Sequence, residues 1–294
     1  MTRLLISTYK RVILWDGQAH TVWDERGGPG YHNFFGITWD EEKIYVAEGG
    51  HSGDSLYHVF DADLQHIGLL PFGQKDGMGL RISDPHQIYW WDGKLYVASA
   101  WQDSIFIWDD PDCTEVHWKK KGETSQHLNS IWCDGEAFYV VEHRKREMPK
   151  RVQVLNMDFE PLHKIVIPNS AFVKTTPHGI HNVYIEDGWL YTCSPKAFVA
   201  FKMETGATRT VTSPTIQAAH YVRGLARVPG KWFAGLSEAR VRNERGQGDS
   251  AVLVLDDNLE MIDLYPLQDT GGLNDIRAID GPDLAHNKVR CPYG

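Results

Sequence analysis

Residues 86–120 contain four short runs that have the composition of β-strands. They are HQIYWWDG at 86–93, KLYVASA at 94–100, SIFIWDD at 104–110 and TEVHWKK at 114–120. The runs are enriched in Ile, Val, Tyr, Trp and Phe, which favour strands, and Asp92-Gly93 is typical of a tight hairpin turn. The stretch therefore predicts a four-stranded antiparallel unit.

The same pattern returns along the chain, and a histidine stands at or just before the first strand of each copy. These histidines are His32, His86, His127, His178 with His181, and His220. They recur at intervals of 41 to 54 residues, which is close to the length of a propeller blade. No segment has a sustained helical period, so the sequence predicts an all-β protein.

The two ends of the chain supply one further unit. Five complete repeats run from about residue 30 to residue 267, and GLNDIRAIDG at 272–281 reads as another first strand. The N-terminus has three strands with no first strand before them, and pairing the two ends removes exposed sheet edges. We therefore expect one six-bladed β-propeller domain over residues 1–294, with blade 6 divided between about 273–281 and 3–24.

Composition indicates an ordinary soluble protein. Hydrophobic residues make up 42% of the chain and charged residues 23%. The formal net charge of −9 at pH 7 argues against nucleic-acid binding, and no run approaches the roughly 18 apolar residues of a membrane span. The four cysteines form no C-x-x-C pair, and the N-terminus does not resemble a signal peptide. We expect a cytoplasmic protein that binds neither membrane nor nucleic acid.

The first strand of a propeller blade lines the central channel, and the loop that enters it shares a face with the end of the second strand. The candidate catalytic residues at those second-strand ends are Glu48, Glu142 and His143, since a carboxylate can orient an imidazole or act as a general base. Arginine suits the recognition of carboxylate, sulfate or phosphate groups. The candidate substrate-binding residues on this face are Arg223, Arg240, Arg242, Trp101 and Tyr31.

Imidazole is the commonest protein ligand of transition metals such as Zn, Fe and Cu. Several imidazoles that converge on the channel axis would form a site with an open position for water or substrate. The candidate metal ligands are His32, His86, His127, His178, His181 and His220. Their distances from the second strand differ by up to three residues, so we expect two tiers of histidines. Alternatively, each histidine is held by hydrogen bonds within its own blade.

The repeated pattern H-x-I-x-x-x-D-G-x-L-Y-V resembles six-bladed propellers of the NHL and strictosidine-synthase-like kind. In that group, peptidyl-amidating lyases hold zinc with one histidine from each of three blades. The resemblance implies that the ligands are His86, His127 and His181, or else His32, His178 and His220. The stretch RGLARVPGKWFAGLSEAR at 223–240 also resembles a poorly characterised propeller family with RGLA and GLS-x-x-R motifs, which implies little about activity.

The sequence predicts a metal-dependent enzyme of the lyase, hydrolase or oxygenase type. Its cofactor would be a divalent transition metal (Zn, Fe or Cu), and its substrate would be a small polar or anionic molecule in a histidine-lined channel. The alternative is a non-catalytic propeller that binds a ligand or a protein and has structural histidines. No G-x-S-x-G, Walker, dinucleotide-binding or H-E-x-x-H motif is present.

Overall fold

The computed structural model confirms the six-bladed propeller. It describes residues 2–24, 33–49, 55–70, 82–109, 112–117, 127–143, 149–172, 179–212, 220–238, 240, 244–287 and 289–293. Within these ranges the strands form six antiparallel sheets of four strands each. None of the described helical segments is long and apolar enough to span a membrane.

The strands follow the chain blade by blade. The N-terminal strands are β1 (Leu4–Thr8), β2 (Arg11–Trp15) and β3 (Ala19–Asp24). Blade 1 contains β4 (Asn33–Trp39), β5 (Ile44–Gly49), β6 (Leu56–Phe60) and β7 (His66–Leu69). Blade 2 contains β8 (Pro85–Trp91), β9 (Lys94–Ser99), β10 (Ser104–Asp109) and β11 (Asp112–His117).

Blade 3 contains β12 (Leu128–Cys133), β13 (Phe138–Glu142), β14 (Lys150–Leu155) and β15 (Pro161–Ile167), followed by a 3-10 turn (Asn169–Ala171). Blade 4 contains β16 (His181–Glu186), β17 (Trp189–Ser194), β18 (Ala197–Lys202) and β19 (Thr208–Val211). Blade 5 contains β20 (His220–Val228), β21 (Lys231–Glu238), β22 (Ser250–Leu255) and β23 (Met261–Leu267). The last strand is β24 (Leu273–Ala278).

Blade 6 is completed by both ends of the chain, as the sequence predicts. The C-terminal strand β24 is innermost and pairs antiparallel with β1, with Ile276 opposite Ile6 and Ala278 opposite Leu4. These four side chains are buried in one apolar cluster. Because β24 also contacts the inner strands of blades 1 and 5, this pairing closes the ring.

Each innermost strand contains a β-bulge near its start, where the pairing with the neighbouring strand shifts by one residue. The bulges fall on a three-residue motif that ends in a branched aliphatic residue. The six copies are Phe35-Gly36-Ile37, His86-Gln87-Ile88, Asn129-Ser130-Ile131, His181-Asn182-Val183, Arg223-Gly224-Leu225 and Asn274-Asp275-Ile276. The third residue of every copy is buried in the core between the blades.

The second residue of the motif joins neighbouring blades. In four copies its side chain accepts a hydrogen bond from a backbone N–H of the motif in the next blade. The bonds run from Ile131 to Gln87 (3.0 Å), from Asn182 to Ser130 (2.8 Å), from Gly224 to Asn182 (2.9 Å) and from Ile37 to Asp275 (3.1 Å). We call this set, together with the two glycines at the remaining positions, the inter-blade belt.

Glycine occupies the second motif position at the two junctions where a side chain would collide with the next blade. A Cβ atom on Gly36 would lie 2.4 Å from the backbone nitrogen of Ile88, in blade 2. A Cβ on Gly224 would lie 3.0 Å from the nitrogen of Ile276, and Gly224 also has a φ of 76°, which favours glycine. Direct backbone packing therefore replaces the hydrogen bond at these two junctions.

The C-terminal segment, residues 279–293, covers the far end of the channel. The Leu284 N–H donates to the Arg227 carbonyl of blade 5 at 2.7 Å. The His286 ring is hydrogen-bonded to the Thr38 hydroxyl of blade 1 at 2.8 Å, and its carbonyl accepts hydrogen bonds from Tyr89 and Trp132 of blades 2 and 3. The segment thus bridges four blades at the ends of their inner strands.

Replacing Gly36 with Ala should destabilise the ring, because the new methyl group meets the backbone of the next blade. We expect the free energy of unfolding to fall by about 1–3 kcal/mol, the usual cost of overpacking. Gly281→Ala is the matched control, since a Cβ there would meet no atom within 4 Å, and it should change stability by less than about 0.5 kcal/mol. Urea denaturation measures both, and equal stability of the two variants would contradict the belt.

Candidate functional site

The first residues of the six motifs converge on the channel axis. They line one cavity at the end of the channel where the inner strands begin, and they are Phe35, His86, Asn129, His181, Arg223 and Asn274. We call this set the axial ring. The space among these side chains is about 270 Å³, including the part open to solvent, and its narrow interior admits about one water molecule.

Asn129 holds two histidines of the axial ring. Its amide nitrogen donates to Nδ1 of His86 at 2.9 Å, and its amide oxygen accepts a hydrogen bond from Nδ1 of His181 at 2.8 Å. The directions of these bonds give the two neutral rings opposite tautomers, with the proton on Nε2 in His86 and on Nδ1 in His181. Nε2 of His181 therefore carries a lone pair, and it is buried with no hydrogen-bond partner among the described residues.

A row of imidazoles continues outside the axial ring. His127 lies between His86 and His143, with ring centroids 5.0 and 5.1 Å away, and His143 lies 4.6 Å from His181. Both nitrogens of His143 are engaged, because Nε2 accepts from the Gly179 N–H and Nδ1 donates to the Ile180 carbonyl. These two bonds connect the end of β13 in blade 3 to the start of blade 4.

Burial keeps His143 and His181 neutral. Desolvation lowers the pKa of His143 well below its usual value, and the neighbouring His127 lowers it further. The pKa of His181 is also lowered well below its usual value by burial and then by the nearby charge of Arg223. Neutral imidazole is the form that can accept a proton or bind a metal.

The described histidines do not fit a metal site in this arrangement. A metal needs several lone pairs that point at one position, but both nitrogens of His143 and Nδ1 of His86 already bind protein groups. Among the described His, Cys, Asp and Glu residues, no group of three could hold a metal ion. The metal prediction now depends on His32 and His178, which lie outside the described residues, and on His220, whose side chain is not described.

Arg223 forms the wall of the cavity beside His181. Its Nη1 donates to the Asn274 amide oxygen at 3.2 Å, while its Nε is buried and has no partner among the described residues. Burial lowers the pKa of Arg223, and the nearby Arg245 contributes in the same direction. In the described part of the chain, Arg223 forms no ion pair with a carboxylate, whereas Arg227, Arg240 and Arg277 do.

The structure does not bring the predicted catalytic carboxylates to this cavity. Glu48 is hydrogen-bonded to Nε2 of His58, on the third strand of blade 1. Glu142 is buried and lies 3.5 Å from Nζ of Lys164, on the fourth strand of blade 3. Neither residue is part of the described lining of the axial cavity.

The other predicted binding residues are dispersed. Arg240 is ion-paired with Glu238 (2.8 Å) at the end of the second strand of blade 5, and the Trp101 side chain is 70% exposed. Tyr31 and Arg242 lie outside the described residues. Arg223 is thus the one described residue of the predicted substrate-binding set that lines the axial cavity.

Sequence reasoning missed Phe35 and Asn129 of the axial ring, whereas it placed Asn274 on this face. The signal that could have found them is the repeated motif itself, which reads FGI, HQI, NSI, HNV, RGL and NDI. Aligning the chain on its branched third residue places Asn129 and Asn274 at the same position as His86 and His181. Aligning on the histidines instead selects His127, two residues before the first motif position of blade 3.

Comparisons with known proteins support the fold. Neither a protein-family profile nor a curated protein sequence matches the chain. A chain in the crystal structure of a nidogen/laminin complex is similar with a TM-score of 0.65 and 10% identity, over 94% of this chain and 98% of that chain. A chain in the mitotic checkpoint complex reaches a TM-score of 0.49 at 14% identity, over 91% and 76%. The first similarity shows the propeller architecture alone.

The two tautomers can be measured directly by nitrogen NMR of the imidazole rings. We expect His86 to be protonated on Nε2 and His181 on Nδ1, and we expect His181 to stay neutral as the pH falls through 6.5, where an unfolded histidine titrates. Asn129→Leu should abolish the fixed pairing of tautomers. A His181 ring with its single proton on Nε2 would contradict the assigned bonds, and a doubly protonated ring at pH 6.5 would contradict the lowered pKa.

Proposed function

We propose that the channel mouth binds a small polar molecule with an anionic group, and that His181 accepts a proton from it. One observation carries the proposal: Nε2 of His181 and Nε of Arg223 are both buried beside the same cavity, and neither has a hydrogen-bond partner among the residues that the structure describes. A buried polar atom without a partner is costly, typically by about 1–3 kcal/mol. A ligand that accepts from Arg223 and donates to His181 would remove both costs.

The charges of the site favour an anion. The guanidinium group has no ion-paired carboxylate among the described residues, and a buried charge without a counter-charge is strongly unfavourable. The histidines beside it are neutral and do not compensate its charge. An anionic group at Arg223 therefore gains a charge-assisted hydrogen bond in a poorly solvated place, where such bonds are strongest.

Binding and proton transfer are coupled in this arrangement. The charge of Arg223 is the largest cause, after burial, of the lowered pKa of His181. A bound anion would offset that charge and make His181 a stronger base only when substrate is present. Such a base suits proton abstraction in lyase chemistry or activation of water in hydrolysis. The proposed reaction includes no metal-dependent step, because Nε2 of His181 is the one lone pair that we can assign as free in the described row of imidazoles.

A non-catalytic ligand-binding propeller shares the binding step and lacks the proton transfer. The two functions separate in an NMR assay in which the protein is incubated with a panel of small organic acids and their neutral analogues. We expect one or more acids to bind and to be converted by the wild-type protein. If acids bind but none is converted, the protein is a ligand-binding propeller, and His181 does not act as a base on the acids tested.

Two substitutions should have different effects on this assay. Arg223→Met should weaken binding of the acid by about tenfold or more, the range expected for a charge-assisted hydrogen bond. His181→Gln should retain most of the binding and lower the rate by about 10²-fold or more, as loss of a general base does. His20→Gln, on the outer strand of blade 6, is the control and should change neither value. Unchanged turnover in His181→Gln would contradict the proposal.

A further inference from the structure

We infer that the pocket next to the axial ring is a carboxylate subsite formed by Arg223, Arg245, Tyr9 and Tyr221. The inference rests on the proposed function in one respect: it identifies the anionic group of that same ligand as a carboxylate. The pocket adjoins the axial cavity because Arg223 lines both. Its remaining described lining is Ser237, Glu238, Gly272 and Leu273.

The two arginines share one aromatic ring. The guanidinium carbons of Arg223 and Arg245 lie 5.8 and 4.9 Å from the ring centre of Tyr221. Nη2 of Arg245 donates to the Tyr221 hydroxyl at 3.4 Å, and Nε is buried without a partner in both arginines, among the described residues. Tyr221 therefore holds two guanidinium groups near each other, and each has an unused donor.

Neither Arg223 nor Arg245 forms an ion pair with a described carboxylate, although the charge of Asp84 acts on Arg223. Glu238, which also lines the pocket, is bound to Nε and Nη2 of Arg240 at 2.9 and 2.8 Å. Two like charges near one ring repel each other, and partial burial strengthens this repulsion. An anion that accepts hydrogen bonds from both guanidinium groups would remove the repulsion.

The backbone holds Arg245 in place before any ligand binds. The Arg245 carbonyl accepts the Gly272 N–H at 2.8 Å, and the Gly248 carbonyl accepts the Gly271 N–H at 3.0 Å. The Tyr9 N–H donates to the Gly272 carbonyl at 2.8 Å, which fixes the turn after β1 that carries the phenol. Because these bonds involve the main chain, substitution of the Arg245 side chain leaves them intact.

Size and donor geometry favour a carboxylate over a phosphate. The space in the pocket is about 240 Å³, including its solvent-facing part, and it admits about one water molecule. A planar carboxylate offers two oxygens to two guanidinium groups, whereas a tetrahedral phosphate has further charged oxygens that need more donors. A carboxylate between the two arginines would place the next carbon atoms over the axial ring.

The neighbouring His181 then selects the rest of the ligand. Its free Nε2 accepts a hydrogen bond and so favours a ligand with a donor close to the carboxylate. A hydroxyl group fits this position better than an ammonium group, because Arg223 repels a second positive charge. The substrate class that we infer is therefore a small hydroxycarboxylate.

Binding of two simple probes, glycolate and acetate, tests the subsite by calorimetry. Both carry a carboxylate, and glycolate adds the hydroxyl. We expect both to bind the wild-type protein, glycolate more tightly. Arg245→Met should weaken both probes by the same factor, about tenfold, because it removes one charged donor from the carboxylate. Arg245→Lys keeps the positive charge but loses the paired guanidinium donors, so its affinity for both probes should lie between those of the wild type and Arg245→Met.

The controls separate this inference from the proposed function. Arg209→Met removes an exposed arginine on the outermost strand of blade 4 and should leave both affinities within about twofold. His181→Gln should bind glycolate no more tightly than acetate, while its affinity for acetate stays as in the wild type. If glycolate keeps its advantage in this variant, the result contradicts the role of His181 and leaves the carboxylate subsite standing. Three results would overturn the subsite: unchanged affinities in a folded Arg245→Met protein, no binding of either probe to wild type, or tighter binding of inorganic phosphate than of acetate.

Discussion

The inter-blade belt is the constraint on which the rest of the structure depends. Hydrogen bonds from one motif to the side chain of the previous one, such as Asn182 N–H to Ser130 and Gly224 N–H to Asn182, fix neighbouring bulges relative to each other. With Asp275 bound to Ile37, the belt also crosses the junction where the two chain ends meet. The second residue of each motif is fixed either by such a hydrogen bond or, at the two glycines, by close backbone packing. The first residue of every motif therefore points to the axis, and six side chains form one cavity.

Buried charge organises the channel from Asp275, which lines the axial cavity, to Asp283 in the C-terminal segment. Arg277 forms an ion pair with Asp275 at 2.8 Å and donates hydrogen bonds to the carbonyls of Ile37 and Leu225, in blades 1 and 5. Burial raises the pKa of both Asp275 and Asp283 to about 6, although the charge of Arg277 acts in the opposite direction. With the C-terminal segment over the far end of the channel, the described chain leaves the axial ring as the accessible mouth.

The fold was predictable from the sequence because blade periodicity and hairpin turns are local signals, and the missing first strand of blade 6 could be found by counting strands. The site was less predictable, because a bulge shifts the register of each inner strand and histidine position alone does not reveal it. His86 and His181 reach the axis, whereas His127 lies two residues before the ring position of blade 3. The partner of Glu48 could not be foreseen, since its bond to His58 depends on how the side chains pack across the sheet.

The most direct test of the central claim is a crystal structure of the protein soaked with glycolate. Our account predicts the carboxylate between the guanidinium groups of Arg223 and Arg245, and the hydroxyl oxygen at about 2.8 Å from Nε2 of His181. Glycolate bound elsewhere on the propeller would contradict the account. So would a metal ion coordinated by His86, His127 and His181, because the bond from Asn129 to Nδ1 of His86 places a proton on the Nε2 that would have to bind the metal.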